Sequence, residues 1–214
     1  MSSQEVAVIA DVIRSRSYDD RSEVQSAVER LLAAVAAALP PLQGFSPTVG
    51  DELQAVYSSR NEALAATLYA GLLHEQGPEL RFGLGQGETY SVTSGSSEGI
   101  QDGPGWWRAR EAVEAAEQMQ ARNPHLKSRF LGPEQQDDAL VNAYLLARDH
   151  VLVGLNSRTR RYARGVLEGR SQKQIAAELG VSQSAVSQAL RSSGAAGLIA
   201  GLRDLTTDES EEDT

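Results

Sequence analysis

The first half of the chain alternates short apolar runs with longer amphipathic stretches, which is typical of alternating strands and helices. Residues 6–10 form a continuous apolar run rich in β-branched side chains that stops at Asp11, so we predict a buried central strand ending in a carboxylate. The elements predicted next are a helix over residues 20–38, a hairpin over 44–57 turning at Gly50 and Asp51, a helix over 61–75 and a strand over 80–85. This order predicts an α+β fold, a ferredoxin-like layer of helices on an antiparallel sheet.

A Gly- and Ser-rich stretch and a third helix follow. We predict a loop or irregular hairpin over residues 86–105, long enough to bind a partner or ligand. Residues 106–120 predict a helix that contains the only two tryptophans, Trp106 and Trp107. Because adjacent helical residues point in different directions, we expect one indole in the core and the other available for stacking.

The second half of the chain reads as helical. After a polar connection over residues 123–134, residues 135–155 predict a long helix. Its apolar positions exceed one contact stripe, which favours a dimer helix or a strut packed against both domains. Shorter helices are predicted over residues 158–168 and 194–204.

Residues 170–194 carry apolar and small side chains where a helix-turn-helix needs them. The first helix opens at Ser171 or Gln172, Gly180 makes the turn because it tolerates positive φ, and Ser182 caps the second helix. The inward positions are Ile175, Ala176, Leu179, Val186, Ala189 and Leu190. The alternative is an amphipathic helical hairpin that only presents a polar outer face.

The exposed side of the second helix would suit the major groove of DNA. It offers amide, hydroxyl and guanidinium groups and no carboxylate, and such groups pair with base edges or phosphates. The candidate DNA-binding residues are Arg170, Ser171, Gln172, Lys173, Ser182, Gln183, Ser184, Ser187, Gln188 and Arg191.

The net charge of −9 argues against DNA binding only if the chain is taken whole. Residues 157–203 contain eight Lys or Arg against two Glu, a net charge of +6, so the remainder carries −15. Positive charge is therefore concentrated around the predicted recognition helix, as a phosphate backbone requires. Residues 208–214 contain five acids and are expected to be a solvated, disordered tail.

Composition limits the classes of protein to which the chain can belong. There is no cysteine, so disulfides and thiolate metal sites are excluded. The three histidines have no helical i, i+4 spacing, which argues against a zinc site. No signal peptide or membrane-spanning run is evident, and we expect a cytoplasmic protein with no membrane partner.

Four motifs stand in order along the first half of the chain. They are Asp11-Val12-Ile13-Arg14-Ser15-Arg16, Gly50-Asp51-Glu52, the run Leu80-Arg81-Phe82-Gly83-Leu84-Gly85-Gln86-Gly87, and Asp102-Gly103-Pro104 before an Ala-rich helix. Together they resemble the SatD family and, more distantly, the catalytic palm of class III nucleotide cyclases and diguanylate cyclases. The palm-like part would cover residues 6 to about 120, with the helix-turn-helix of the SatD family at the end of the chain.

The resemblance implies a site for Mg²⁺ and a nucleotide. Carboxylates on the first strand and the hairpin hold two divalent ions in those cyclases, and Asp11 and Asp51 match them, with Glu52 adjacent. The implied nucleotide-binding residues are Arg14, Ser15, Arg16, Trp106 and Arg110. From the residues alone, Asp51 could equally form only the turn, and Asp11 could cap the following loop.

Two departures from the cyclase pattern argue against catalysis. The purine-recognising lysine of many cyclases falls on Pro47, and the asparagine one helical turn before the conserved arginine falls on Trp106, although Arg110 is kept. Loss of these groups removes base selection and part of the ribose alignment. A sensor that binds a nucleotide without turning it over would show this pattern.

We therefore predict a dimeric, DNA-binding transcriptional regulator whose palm-like domain senses a nucleotide-type ligand. Its parts are a sensor domain over residues 1–125, a connecting or dimerisation helix over 126–156, a helix-turn-helix domain over 157–205 and a tail over 206–214. One alternative is an active Mg²⁺-dependent nucleotidyl cyclase or transferase fused to a helix-turn-helix. A second alternative is a DNA-binding scaffold without a ligand.

Overall fold

The strands and helices occur in the predicted order, with additional strands between them. The computed structural model describes residues 5–48, 51–75, 77–92 and 100–207. The strands are β1 (Val6–Val12), β2 (Gln43–Pro47), β3 (Leu53–Tyr57), β4 (Leu80–Gln86), β5 (Tyr90–Val92), β6 (Ile100–Asp102) and β7 (Ser128–Leu131). The helices are α1 (Arg21–Ala38), α2 (Arg60–Leu73), α3 (Pro104–Gln120), α4 (Gln135–Gly154), α5 (Ser157–Leu167), α6 (Gln172–Leu179), α7 (Gln183–Ser192) and α8 (Ala195–Thr207). The turn residue Gly50, residues 93–99 of the predicted loop and the acidic residues 208–214 lie outside the described residues.

The main sheet has the strand order β2-β3-β1-β4-β7. All neighbouring pairs are antiparallel except β4 and β7, which are parallel. Strands β1 to β4, with α1 and α2 as the two crossovers, form the predicted ferredoxin-like core. β1 lies at its centre, and Val8 pairs with Ala55 on one side and Leu84 on the other.

Both faces of β1 are buried, which explains why its apolar run is continuous rather than alternating. Val6 and Val8 belong to a large hydrophobic cluster that also contains residues of α1 and α2. Ala7 and Ile9 belong to a smaller cluster with Trp106, Ala109 and Val113 of α3. α3 therefore covers the face of the sheet opposite α1 and α2.

Glycines in β4 let α3 approach the sheet at backbone distance. A β-carbon at Gly85 would lie 2.1 Å from the Gly105 carbonyl oxygen, and one at Gly83 would lie 2.2 Å from the Ala109 carbonyl oxygen. Both distances are far inside van der Waals contact. The backbone of α3 therefore lies directly against β4 at these two glycines.

Strand β7 lies where the sequence predicted only a polar connection. Its backbone is held by polar side chains of α4 as well as by β4. Asn142 accepts a hydrogen bond from the Phe130 N–H at 2.9 Å and donates one to the Phe130 carbonyl at 2.8 Å. The Asp149 Oδ2 accepts from the Ser128 N–H at 2.9 Å. α4 therefore covers the outer edge of the sheet, which would otherwise be open to another strand.

The C-terminal helices pack against the sheet domain without a gap in the hydrophobic core. Buried residues of α5 to α8, including Tyr162 and Val186, belong to the same cluster as Val8 of β1. Arg160 of α5 also bridges the two parts, because its guanidinium donates hydrogen bonds to the carbonyls of Gly71 and Leu155. α4 has contacts with α2, β7 and α8, as a strut would. The division into four parts remains a prediction.

Candidate functional site

Three acidic residues meet where β1 ends and β3 begins. Asp11 lies opposite Arg81 in the β1–β4 pairing, and the Arg81 Nη1 donates to the Asp11 Oδ2 at 2.6 Å. Asp51 and Glu52 immediately precede β3. Arg81 is almost fully buried, and its Nη2 donates to the Gln120 side chain at 2.7 Å.

The carboxylates of these acids are close enough to interact electrostatically. Burial raises the pKa of the Asp11 carboxyl to about 6, against the opposing effect of the Arg81 guanidinium. The neighbouring carboxylates of Asp51, Glu52 and Glu117 raise that pKa further, since each disfavours another negative charge. A carboxyl group with such a pKa changes charge between pH 5 and 7.

Glu52 is also paired with a cation, because Arg110 of α3 binds it with both terminal nitrogens. The Arg110 Nη1 donates to Oε1 and the Nη2 donates to Oε2 at 2.7 Å. The hydrogen bond to Glu52 raises the pKa of Arg110 against the effect of partial burial. This pair brings together two predicted site residues that are 58 positions apart in the chain.

The arrangement does not fit a resident metal ion. Among the residues that the structure describes, no group of three or more His, Asp or Glu side chains is placed to hold one. Asp11 and Glu52 are instead paired with the guanidinium groups of Arg81 and Arg110. The arrangement therefore does not support the predicted assignment of Asp11, Asp51 and Glu52 as Mg²⁺ ligands.

The predicted nucleotide-binding residues lie in two elements, the turn after β1 and helix α3, which contains Trp106 and Arg110. Arg14, Ser15 and Arg16 lie in a short turn directly after β1, where Arg14 has φ 55°, a left-handed conformation that is uncommon for a residue other than glycine. The Arg14 and Arg16 side chains are exposed. This turn thus presents two arginines at the same end of β1 as Asp11.

Trp106 requires a correction. It is 5% exposed and packs under the sheet against Ala7 and Ile9, so its indole cannot stack on a ligand. Trp107 is 60% exposed, and its Nε1 donates to the Asp102 carboxylate at 2.8 Å. The sequence does not distinguish which of the two adjacent indoles is accessible.

α6 and α7 form two helices joined by a tight turn, with the caps that the sequence predicted. Ser171 accepts a hydrogen bond from the Gln174 N–H, and the Gln174 side chain accepts from the Ser171 N–H, which is a capping box. Gly180 ends α6 with φ 64°. Ser182 caps α7 by accepting from the Ala185 N–H at 3.2 Å.

The outer side of α7 is polar and free of acids. Val186 and Leu190 are buried, whereas Gln183, Ser184, Gln188 and Arg191 are exposed, and Ser187 is half-buried. The hydroxyls of Ser171 and Ser182 already serve as helix caps. Gln172 is half-buried at the start of α6, and Lys173 beside it is exposed.

The positive charge predicted for this region is partly neutralised. Arg170 forms ion pairs with Glu168 and Glu178, so it is committed to intramolecular contacts rather than free for a phosphate. By contrast, within the described part of the chain, Arg158, Arg161, Lys173 and Arg191 form no ion pair. Arg158 and Arg161 contribute to the positive charge of residues 157–203 but are not among the predicted DNA-binding residues. Their three-residue spacing, which puts both on one side of α5, is a signal in the sequence that could have identified them.

None of the helices in the described ranges combines the length and apolar character needed to cross a membrane.

Comparison with solved structures finds similarity to nucleotide cyclase domains. A bacterial light-regulated adenylyl cyclase matches with a TM-score of 0.46 and 12% identity, covering 61% of this chain and 76% of that one. The guanylate cyclase domain of RhGC from Catenaria anguillulae, in complex with GTP, matches with a TM-score of 0.42 and 14% identity, covering 53% and 74%. A dimeric guanylyl cyclase domain of the RhoGC fusion protein from Blastocladiella emersonii gives 0.42 and 14%, covering 53% and 75%.

No curated protein matches the chain. A family model does match, over residues 5–204, and its span includes both the sheet and the α5–α8 helices. The motifs at the end of β1, before β3 and along β4 thus belong to a match that covers almost the whole chain, and the chain is a member of the SatD family.

Proposed function

We propose that this protein is a DNA-binding regulator whose helix α7 enters the major groove, with two copies on one operator. The observation that carries the proposal is the outer face of α7, where Gln183, Gln188 and Arg191 are exposed and no acidic side chain is present. A glutamine can make a bidentate contact with adenine and an arginine with guanine, each worth about 1–3 kcal/mol of discrimination. Such a face is suited to base recognition.

Cations near α7 would contact the phosphate backbone. Lys173 lies in the first turn of α6, and Arg161 on α5 lines a surface recess with Leu179 and Val181 of the α6–α7 turn. Phosphate contacts of this kind set the position of a protein on the duplex and carry most of the salt dependence. The N-terminal end of α6 adds the positive end of a helix dipole.

Fluorescence anisotropy with labelled duplexes tests the proposal. The wild-type chain should bind duplex DNA with an affinity that falls steeply as salt increases. Gln188→Ala combined with Arg191→Ala should weaken binding to a selected sequence at least tenfold, whereas Arg122→Ala, which removes an exposed arginine at the end of α3, should not. Equal binding by all three proteins would refute the role of α7.

The second candidate function is recognition of a nucleotide-type ligand at the acidic end of the sheet. Two observations support it. Asp51 and Glu52 lie near enough to Asp11 to raise its pKa, and two exposed arginines follow β1. Arg14 and Arg16 would bind phosphates there. The active cyclase or nucleotidyl transferase remains the alternative at this same place.

Incubation with each nucleoside triphosphate and Mg²⁺ or Mn²⁺ separates these possibilities. Saturable binding without product, lost in Arg14→Ala, would support a sensor. Turnover that disappears in Asp51→Asn would support the enzyme. Absence of both, with DNA binding intact, would favour a scaffold in which the sheet domain has no ligand.

A further inference from the structure

Helix α4 buries several polar side chains on its inner side, beside the apolar Val141, Leu145 and Leu152. Asp138, Asn142, Arg148 and Asp149 are all buried, with Arg148 1% and Asp149 2% exposed. Each has a partner inside the protein: Asn142 and Asp149 bind the β7 backbone, and the Arg148 Nη1 donates to the Thr67 hydroxyl at 2.8 Å. The inner side of α4 therefore carries both the polar contacts to the edge of the sheet and part of the hydrophobic core.

The opposite side of this helix is a largely apolar and exposed surface, where the His125 ring lies 5.5 Å from that of His150. We call it the α4 outer face, and its members are Ala139, Leu140, Ala143, Leu146, Ala147, His150, Val153 and Gly154. Leu140 is 59%, Leu146 40% and Val153 55% exposed. The face contains no Lys, Arg, Asp or Glu, although the chain as a whole carries a net charge of −9. A helix that is apolar toward solvent is expected to pack against a partner.

We propose that the α4 outer face binds the same face of a second copy of this chain, with the two helices antiparallel. Two chains of equal negative charge repel each other, and an uncharged face is where they approach at least cost. An antiparallel pair also places the positive end of each helix dipole beside the negative end of the other.

The residues of the face are self-complementary in an antiparallel register. The two-fold axis can pass between Leu146 and Ala147. The large Leu146 of one copy then faces the small Ala147 of the other, so no two bulky side chains collide at the centre. The facing pairs are Leu140 with Val153, Ala143 with His150, and Leu146 with Ala147. Each pair occurs twice, as an isologous C₂ interface requires.

The area of the face indicates a weak dimer. From Ala139 to Gly154 the helix rises about 22 Å at 1.5 Å per residue. Two such faces bury on the order of 500 Å² in total, well below the ~1,200 Å² at which standard stable interfaces begin. We therefore expect a dissociation constant on the order of 10–100 µM for the free protein, with two DNA half-sites raising the effective concentration.

Sedimentation equilibrium of the full chain between 5 and about 500 µM, without DNA, tests the proposal across this range. Leu146→Glu should raise the dissociation constant at least tenfold, because it buries a charge at the two-fold axis. Leu42→Glu, the same change at an exposed leucine before β2, should alter it less than twofold. A wild-type protein that is monomeric throughout, or a Leu42→Glu variant as impaired as Leu146→Glu, would overturn the proposal.

Single cysteines test the register, because the native chain has none. Ala147→Cys lies beside the axis and should form an intermolecular disulfide under mild oxidation. Ala139→Cys, separated from its counterpart by about 22 Å in the antiparallel pair, should not. Equal cross-linking of the two variants would contradict the antiparallel arrangement. The proposed dimer rests on the proposed function only for its use on an operator. Both measurements are made without DNA. Failure of DNA binding is therefore distinguishable from failure of the dimer.

Discussion

Asp11 and Arg81 face each other across β1 and β4, with the Arg81 Nη1 2.6 Å from the Asp11 Oδ2. The guanidinium favours the charged carboxylate, but burial and three nearby carboxylates oppose it and raise the pKa of Asp11 to about 6. The pair therefore stabilises the acidic end of the sheet less at neutral pH than a simple ion pair would.

The raised pKa of Asp11 predicts a stability that falls as pH rises. Between the usual value of 3.8 and about 6 the folded protein binds more protons at this site than the unfolded chain does, so the free energy of unfolding decreases through that window. Relative to the non-titrating Asp11→Asn variant, the wild type should lose up to about 3 kcal/mol between pH 4 and pH 7. Urea unfolding of both proteins across this range measures the difference. A difference that increases with pH would show that Arg81 dominates instead.

Asp149 is predicted to be critical for the junction between α4 and the sheet. Its carboxylate accepts hydrogen bonds from Arg148 and from the backbone N–H groups of Lys127 and Ser128. Asp149→Ala leaves a buried guanidinium and two buried amides without their acceptor and should lower the free energy of unfolding by about 3–5 kcal/mol. Arg122→Ala, at an exposed position, provides the control in the same denaturant titration. A loss below 1 kcal/mol would mean that water replaces the carboxylate.

Gly85 tests the close packing of α3 on β4. Gly85→Ala would place a β-carbon 2.1 Å from the Gly105 carbonyl oxygen and must push the helix away, at a cost of at least about 3 kcal/mol. Gly44→Ala in β2, where a β-carbon meets nothing within 4 Å, should change stability by less than about 0.5 kcal/mol. Thermal unfolding compares the two variants. Similar melting temperatures would contradict the backbone contact.

The sequence predicted the ferredoxin-like core and the turn between α6 and α7 because the signals for both are local. The apolar run before Asp11, the Asp20 cap that accepts from the Ser22 and Glu23 amides, and Gly180 at the turn each depend on neighbouring residues alone. β7 was missed because its four residues include one serine and one arginine, and it pairs with β4 through long-range contacts. Short edge strands of this kind carry little pattern of their own.

The partners of the charged residues were not predictable in the same way. Arg170 lies next to α6 in sequence, and only the fold shows that Glu168 and Glu178 both reach it. Arg110 and Glu52 are brought together by α3 crossing the sheet, which no spacing rule encodes. The sequence therefore identified the two candidate regions but not which charges in them are free.

The pairing of Arg170 leads to a prediction about DNA affinity. Glu178→Gln removes one of its two carboxylate partners and adds positive charge beside α6 and α7. The variant should bind duplex DNA several-fold more tightly at low salt, with a salt dependence steeper by about one phosphate contact. Glu111→Gln on α3, which changes the net charge equally, is the matched control in an anisotropy titration. The same gain in both variants would point to net charge rather than to Arg170.

Selection of bound sequences from a random duplex library, carried out with the full chain, tests most directly whether α7 recognises DNA. The account predicts enrichment of an inverted repeat with half-sites about 34 Å apart or a multiple of that distance, and loss of the enriched bases when Gln188 and Arg191 are replaced by alanine. A library that shows no enrichment, or an enriched sequence that the double variant selects equally well, would contradict it.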